Sequence, residues 1–230
     1  MNRALLGVAV TAAVAAAVLT LYVVGHPYIP LDSTVERDVQ ATDWGPLVYG
    51  FRFFSWIGDA KGLVVEIVIF FLILLFNRRA WLFAAGATLT GGWYAAIVNL
   101  VHRPRPTVPY VYQVTEHPGA SSYPSGHTIF VVTVVVVLMV CFGHRFLPRW
   151  GQAAGWSVAV LLVVANAIGR MYTGAHWPTD VLGGILIAVF WLSLLASIRR
   201  VYDLSRARPQ ADDATGLIQP AGGGRQPEVT

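Results

Sequence analysis

The chain has 230 residues, of which 56% are hydrophobic and 12% charged, and its formal net charge is +4. Soluble domains carry about 25% charged residues, so this composition excludes an ordinary soluble protein and indicates one embedded in a lipid bilayer. The basic residues are dispersed along the chain, and the aromatic residues lie within apolar runs, which argues against a nucleic-acid partner. The single cysteine, Cys141, cannot form an internal disulfide.

Apolar length predicts six transmembrane helices and hence an all-α, polytopic membrane protein. The first apolar run is longer than the apolar core of a signal peptide, which has about 7–15 residues. We therefore expect residues 1–25 to hold a retained first transmembrane helix. The six runs lie near residues 4–24, 62–77, 80–101, 126–142, 153–170 and 179–198.

Polar and aromatic composition divides the rest of the chain. Residues 26–61 combine acidic residues with Pro, Trp and Phe, which predicts an extracytoplasmic segment at the membrane interface. Residues 62–200 form the predicted helical bundle, and residues 201–230 are predicted to be a disordered cytoplasmic tail. Arginines are frequent in the loops that are cytoplasmic if both termini are cytoplasmic, so we expect that multi-pass topology in the cell membrane.

Three clusters of unusual residues lie at the ends of predicted helices. Because neighbouring membrane helices alternate in direction, all three clusters reach the same, extracytoplasmic face of the bundle. The clusters are residues 102–106, 123–127 and 169–180.

Side chains and backbone in these clusters suit a phosphate group. Arg105 and Arg170 offer planar forks of donors that match phosphate oxygens. Ser125, Gly126 and His127 begin a helix, where backbone N–H groups are unpaired and the helix dipole favours an anion. We therefore expect the two arginines, Ser125 and Gly126 to bind phosphate.

Two histidines supply the predicted reactive groups. Pro178 is suited to the first position of a helix, which places His176 just before that helix and Asp180 in its first turn. An acid in that position can hold one imidazole nitrogen and raise the basicity of the other. His176 is therefore the predicted nucleophile, forming a phosphohistidine and oriented by Asp180. His127, at the end of another helix, is the predicted general acid for the leaving group.

At these residues the sequence resembles the type 2 phosphatidic acid phosphatase (PAP2) family, which is related to vanadium haloperoxidases. The family signature reads Lys-x6-Arg-Pro, Pro-Ser-Gly-His and Ser-Arg-x5-His-x3-Asp. The resemblance implies a PAP2-like bundle of six helices with its catalytic part over residues 62–200, metal-independent catalysis, no cofactor, a histidine nucleophile and a lipid-phosphate substrate. The matching residues are Arg105, Pro106, Pro124, Ser125, Gly126, His127, Arg170, His176 and Asp180.

Two positions depart from the family signature. Val98 stands where the family has its lysine, and Gly169 stands where it has a serine. The resemblance implies that those two side chains help to bind phosphate, so the site lacks one positive charge and one hydroxyl. Arg103 and Lys61 are the candidates for supplying the missing charge.

The expected function is hydrolysis of a lipid phosphate or pyrophosphate, of the phosphatidic acid, phosphatidylglycerol phosphate or undecaprenyl pyrophosphate type. One alternative is a metal site of His127, His176 and Asp180, which the neighbouring arginines disfavour because they repel cations. Another is a non-catalytic lipid-phosphate binding or transport protein on a degenerate phosphatase scaffold. Glu66, near the start of the second predicted helix, either has a functional role or extends its side chain to the membrane interface. Asn166, on the same helical face as Arg170, either supports that arginine or is a polar packing residue.

Overall fold

The computed structural model describes residues 1–58, 61–116 and 119–206, and all regular secondary structure in these ranges is helical. The prediction of an all-α protein is confirmed. A 3-10 turn (Arg78–Ala80) precedes α5, and a π-helical turn (Met139–Gly143) joins α7 to α8. The helices are α1 (Arg3–Gly25), α2 (Pro30–Ala41), α3 (Leu47–Gly58), α4 (Lys61–Phe76), α5 (Trp81–Thr88), α6 (Thr90–Leu100), α7 (Gly126–Leu138), α8 (His144–Phe146), α9 (Arg149–Tyr172), α10 (Pro178–Ser197) and α11 (Arg199–Arg206).

Five helical stretches within the described ranges are long and apolar enough to cross a membrane. The remaining predicted span, residues 62–77, corresponds to α4, which has 16 residues. At 1.5 Å per residue α4 extends about 24 Å, less than the ~30 Å of a hydrocarbon core. A polytopic membrane protein is therefore confirmed, whereas a count of six spans is not. The five stretches are Arg3–Gly25, Arg78–Leu100, Gly126–Phe146, Arg149–Tyr172 and Pro178–Ser197.

Close packing brings α10 against the loop that precedes α7. α10 also packs against α1 and α7. A Cβ atom at Gly183 would lie 2.5 Å from the Tyr123 ring, and one at Gly184 would lie 2.8 Å from the carbonyl oxygen of Ser125. Only glycine permits such an approach of backbone to neighbouring atoms, so these two residues draw two of the predicted clusters together.

The C-terminal tail begins later than the sequence predicts. Residues 199–206 form α11, which Asn77 ties to the bundle. The buried amide of Asn77 donates to the carbonyl oxygens of Cys141 (2.6 Å) and Ser205 (2.8 Å). Because these hydrogen bonds satisfy a buried donor group, they fix the chain there, and the expected disorder from residue 201 is wrong as far as residue 206. The rest of the predicted tail, residues 207–230, lies outside the described residues.

The segment predicted to be interfacial, residues 26–61, contributes buried polar groups to the bundle. It contains α2 and α3, which pack against α9. On α2, Asp32, Glu36 and Gln40 recur every four residues and so share one face of the helix. Asp32 and Glu36 are only 1% and 0% exposed. These two acids are therefore buried inside the protein.

Glu36 is a buried carboxyl group whose two oxygens have no hydrogen-bond partner among the described residues. Burial raises the pKa of Glu36 to about 9, and the charges of Asp180 and Asp32 add to the rise, while Arg103 opposes it. A buried carboxyl without hydrogen-bond donors is more stable as the neutral acid. Glu36 is therefore protonated in the folded protein at neutral pH.

Replacing Glu36 with Gln should remove a pH-dependent loss of stability. Between the ordinary pKa of 4.5 and about 9, the folded protein holds a proton that the unfolded chain releases, so wild-type stability falls as pH rises through this window. Glu36→Gln cannot ionise, and its unfolding temperature should exceed the wild-type value by a margin that widens from about pH 5 to about pH 9. Thermal unfolding in detergent measures this margin. Asp38→Asn, which changes an exposed acid on α2, is the control; a pH-independent margin for Glu36→Gln contradicts the assignment.

Candidate active site

His176 lies in the turn between α9 and α10 and is buried. Its Nδ1 atom lies 2.7 Å from the carbonyl oxygen of Ser122. Because a carbonyl can only accept a hydrogen bond, Nδ1 carries the hydrogen and Nε2 keeps its lone pair. Nε2 is 3.5 Å from Nη1 of Arg105. The imidazole thus presents an unprotonated nitrogen beside a guanidinium group.

The turn that carries His176 depends on Gly174. This glycine has a φ of +71°, and a Cβ atom there would lie 2.4 Å from the carbonyl oxygen of Gln113. The backbone N–H of Ala175 then donates to the carbonyl oxygen of Arg170 at 3.1 Å. A left-handed glycine therefore folds the chain back after α9 and directs His176 toward the loop before α7.

Asp180 does not make the direct hydrogen bond to His176 that the sequence suggests. Its Oδ2 accepts from the backbone N–H of Trp177 at 2.9 Å and lies 3.8 Å from Nδ1 of His176. The Ser122 carbonyl takes the place expected for the carboxylate, because Oδ2 is engaged in capping the start of α10. Asp180 acts on the imidazole through its charge instead.

Burial and three charged neighbours determine the pKa of His176. Burial lowers the pKa of His176, and the positive charges of Arg170 and Arg105 lower it further, while Asp180 opposes the fall. The imidazole is therefore neutral at pH 7. A neutral imidazole is the form required for attack through Nε2.

Arg105 is held in place by backbone carbonyl groups of the surrounding loops. Its Nε donates to Gly119 (2.8 Å), its Nη1 to Ala175 (2.7 Å) and its Nη2 to Ser121 (2.6 Å). Burial lowers the pKa of Arg105, yet an arginine stays charged at any physiological pH. These bonds place a fixed positive charge beside His176.

Arg103 does not face the candidate phosphate site. It is 2% exposed, and its donors point to the carbonyl oxygen of Pro27 (3.0 Å), to Asp32 (2.7 Å), and to Thr179 (2.7 Å) and Asp180 (2.5 Å). The suggestion that Arg103 replaces the missing family lysine is therefore wrong. Its charge is neutralised by two buried carboxylates.

The start of α7 supplies the second imidazole. Ser125 is the residue before α7, and its hydroxyl accepts from Thr128 Oγ1 at 3.0 Å. At Gly126 a Cβ atom would lie 3.0 Å from the Tyr94 ring. His127 follows in the first turn and is buried. Because the first backbone N–H groups of a helix have no intrahelical partner, this end of α7 is suited to an anion.

A cavity of about 230 Å³ joins the loop residues to the membrane helices. Four predicted site residues, Arg105, Gly126, His127 and His176, line it. The structure therefore brings both histidines and one arginine to a single space. The other lining residues are Glu66, Thr90, Gly91, Tyr94, Ile129 and Phe130.

Arg170 is paired with an acid that the sequence did not single out. Its Nη1 lies 2.8 Å from Oε2 of Glu116, and its side chain is 2% exposed whereas that of Glu116 is 28% exposed. Glu116 belongs to the 101–125 loop, in a stretch without any pattern that marks a site. The signal that could have found it is its position between two of the clusters.

The two departures from the family signature have different surroundings. At Gly169 a Cβ atom would lie 3.1 Å from Cβ of Phe51, so the packing of α3 leaves little space for the family's serine. Val98 lies on α6 and is half-buried. Lys61 is exposed at the start of α4 and is not among the residues that line the cavity.

The polar residues left open by the sequence have separate roles. Glu66 lines the cavity with the histidines. Asn166 is fully buried, and its amide donates to Thr128 Oγ1 at 3.2 Å. It therefore supports the start of α7.

The structure does not favour the metal site of His127, His176 and Asp180. Among the described residues, no three of the His, Cys, Asp and Glu side chains come together as metal ligands would, and the carboxylate of Asp180 already binds Arg103 and the backbone N–H of Trp177.

The sequence comparisons point to phosphatases. Residues 79–202 match the family described as the PAP2 superfamily. The chain is 32% identical over 133 residues to an undecaprenyl-diphosphatase of Sulfolobus acidocaldarius, covering 54% of this chain and 58% of the relative. It is 33% identical over 112 residues to a decaprenylphosphoryl-5-phosphoribose phosphatase of Mycobacterium tuberculosis, covering 48% and 56%. The chain thus spans between half and two thirds of the length of these relatives.

A solved structure has the same fold. The crystal structure of a transmembrane PAP2-type phosphatidylglycerolphosphate phosphatase from Bacillus subtilis superposes with a TM-score of 0.66. The alignment covers 81% of this chain and 94% of that chain at 21% sequence identity. At this identity the likeness shows the helical architecture alone.

Proposed function

Because the chain belongs to the PAP2 superfamily, we propose that it is a membrane phosphatase that releases phosphate from a lipid phosphate or pyrophosphate. The observation that carries the proposal is the position of His176. Its unprotonated Nε2 lies 3.5 Å from Arg105 in a cavity that His127 also lines. A nucleophile, a cation and a proton donor around one space are the groups that phosphoryl transfer requires.

The proposed reaction has two steps. In the first, Nε2 of His176 attacks phosphorus, an N–P bond forms, and the bond from phosphorus to the leaving oxygen breaks while His127 donates a proton to that oxygen. In the second, His127 takes a proton from water, the water oxygen attacks phosphorus, and the N–P bond breaks to release inorganic phosphate. The same residue serves as acid and then as base.

The reaction also requires groups that stabilise the negative charge on the phosphoryl oxygens. Arg105 is already fixed beside Nε2, and Arg170 raises the positive potential around the same imidazole. The N–H groups at the start of α7 add the positive end of a helix dipole. We assign to these groups, with Ser125 and Gly126, the stabilisation of the transition state. No step in this mechanism requires a metal ion, and activity is expected to persist in a chelator.

The lipid is proposed to be a polyprenyl-linked phosphate or pyrophosphate. The two relatives named above are a diphosphatase and a phosphatase for undecaprenyl and decaprenyl compounds. The cavity is lined by Tyr94 and Phe130 from membrane helices as well as by loop residues. An apolar tail can therefore stay in the bilayer while its phosphate reaches His176.

From the distribution of arginines we further propose that the active site faces the extracytoplasmic side and that both termini are cytoplasmic.

Replacing His176 with Ala should abolish turnover. Loss of a nucleophile that forms the covalent intermediate is expected to reduce kcat more than about 10³-fold. Phosphate release by purified protein, assayed with polyprenyl, glycerolipid and sugar-lipid phosphates with and without chelator, measures the effect. His26→Ala, which changes an exposed histidine, is the control. Full activity of His176→Ala rejects the nucleophile, and saturable lipid-phosphate binding without turnover by the wild type favours a binding protein instead.

Replacing Glu116 with Gln should strengthen binding of phosphate. The ion pair between Glu116 and Arg170 competes with substrate for the guanidinium, and a partly exposed pair of this kind is worth at most about 1 kcal/mol. We therefore expect KM for the lipid phosphate, and the inhibition constant of vanadate, to fall up to about fivefold. Steady-state kinetics at fixed ionic strength measures both values. A KM that rises in Glu116→Gln shows that the carboxylate assists binding and contradicts the prediction.

A further inference from the structure

The polar face of α2 contacts both loops of the candidate active site. Gln40 donates through Nε2 to the carbonyl oxygens of Gln113 (2.9 Å) and Met171 (3.1 Å). Its Oε1 accepts from the backbone N–H groups of Tyr112 (2.9 Å) and Gln113 (3.1 Å). One side chain thus joins the 101–125 loop to the end of α9. Gln40 itself and the loop residues Tyr112 and Gln113 lie outside the three motifs of the family signature.

Asp32 makes the corresponding contacts two turns earlier, at the start of α10. Its Oδ1 accepts from the backbone N–H of Thr179 at 3.0 Å, and its Oδ2 accepts from the Thr179 hydroxyl at 2.6 Å. Oδ2 also pairs with Nη2 of Arg103 at 2.7 Å. Asp32 therefore caps a helix that belongs to another part of the chain, and it does so with a carboxylate at the positive end of the helix dipole.

Arg103 connects Asp32 to the residue beside the predicted nucleophile. While Nη2 pairs with Asp32, Nη1 pairs with Oδ1 of Asp180 at 2.5 Å. The other oxygen of Asp180 holds the N–H of Trp177 and lies 3.8 Å from the imidazole of His176. The contacts form a continuous chain from α2 through one guanidinium to His176.

Removal of one carboxylate would change the charge felt by His176. With both acids present, Arg103 divides its charge between them. Without the charge of Asp32, the guanidinium would neutralise Asp180 more fully, and the buried pair would lose its anchor on α2. The position of α10 and the basicity of the imidazole would both be affected.

From these contacts we infer that Asp32 is a positioning residue for the reaction, acting on His176 through Arg103 and the first turn of α10. The inference rests on the proposed function, because it assigns the role in phosphate release. Asp32 is not among the residues that line the cavity, so its removal should lower kcat and leave KM nearly unchanged. That combination distinguishes positioning from binding.

The first test compares Asp32→Asn with Asp38→Asn. Both changes replace an acid on α2 with its neutral isostere, but Asp38 is exposed. Asp32→Asn is expected to lower kcat about tenfold or more with KM within about threefold, and Asp38→Asn to match the wild type. A wild-type kcat in Asp32→Asn, or an equal loss in Asp38→Asn, overturns the inference. No turnover by the wild type on any lipid phosphate means instead that the proposed function has failed.

The second test does not depend on turnover. A histidine-selective NMR titration in detergent, with the His176 signal assigned from His176→Ala, follows the protonation of this imidazole. The charged groups that act on it are Asp180 of α10, Arg170 of α9 and Arg105 of the 101–125 loop. Asp32→Asn is expected to move its titration to lower pH, because Asp180 is more fully neutralised. An unchanged titration overturns the inference.

A third variant decides the case if Asp32→Asn fails to unfold cooperatively. Thr179→Val removes the hydroxyl that lies between Asp32 and Arg103 but keeps both charges. It is expected to lower kcat severalfold at constant KM. Wild-type kcat in Thr179→Val then counts against the inference.

Discussion

The candidate active site depends on one buried guanidinium group. Arg103 lies between Asp32 of α2 and Asp180 of α10, and all three side chains are at most 2% exposed. Charges in such an environment are tolerated only when they are paired and hydrogen-bonded. Separating α2, α10 and the loop that carries Arg103 would leave an unpaired buried charge. The network therefore restrains the start of α10, and His176 lies immediately before it.

Two different groups fix the tautomer of His176 and supply negative charge beside it. The Ser122 carbonyl selects the tautomer, because it can only accept. Asp180 shapes the helix start and adds negative charge at 3.8 Å. With orientation supplied by backbone, the carboxylate is available to bind Arg103. A rigid loop scaffold then presents unprotonated Nε2 to the cavity beside Arg105.

The candidate site has fewer positive charges without a neighbouring acid than the family signature implies. Arg105 lines the cavity with Glu66, Arg170, which is not among the lining residues, pairs with Glu116, and Val98 stands at the lysine position. Fewer cations without a neighbouring acid weaken binding of the substrate phosphate in the ground state. They do not by themselves slow the chemical step, because only interactions that strengthen in the transition state accelerate it.

The sequence by itself determined that the chain is a helical membrane protein, and it predicted that the clusters with Arg105, His127 and His176 meet at one face of the bundle. The structure then showed that these three residues line one cavity. Apolar length and helix direction are local properties, and the ends of alternating helices must meet at one face. Only the tertiary structure decided the partners of each side chain. The sequence around Arg103 does not show whether its side chain faces a phosphate or Asp32, which is 71 residues away. Likewise, Ser122 is 54 residues from His176. Such pairs arise from how the helices and loops pack, which no local pattern encodes.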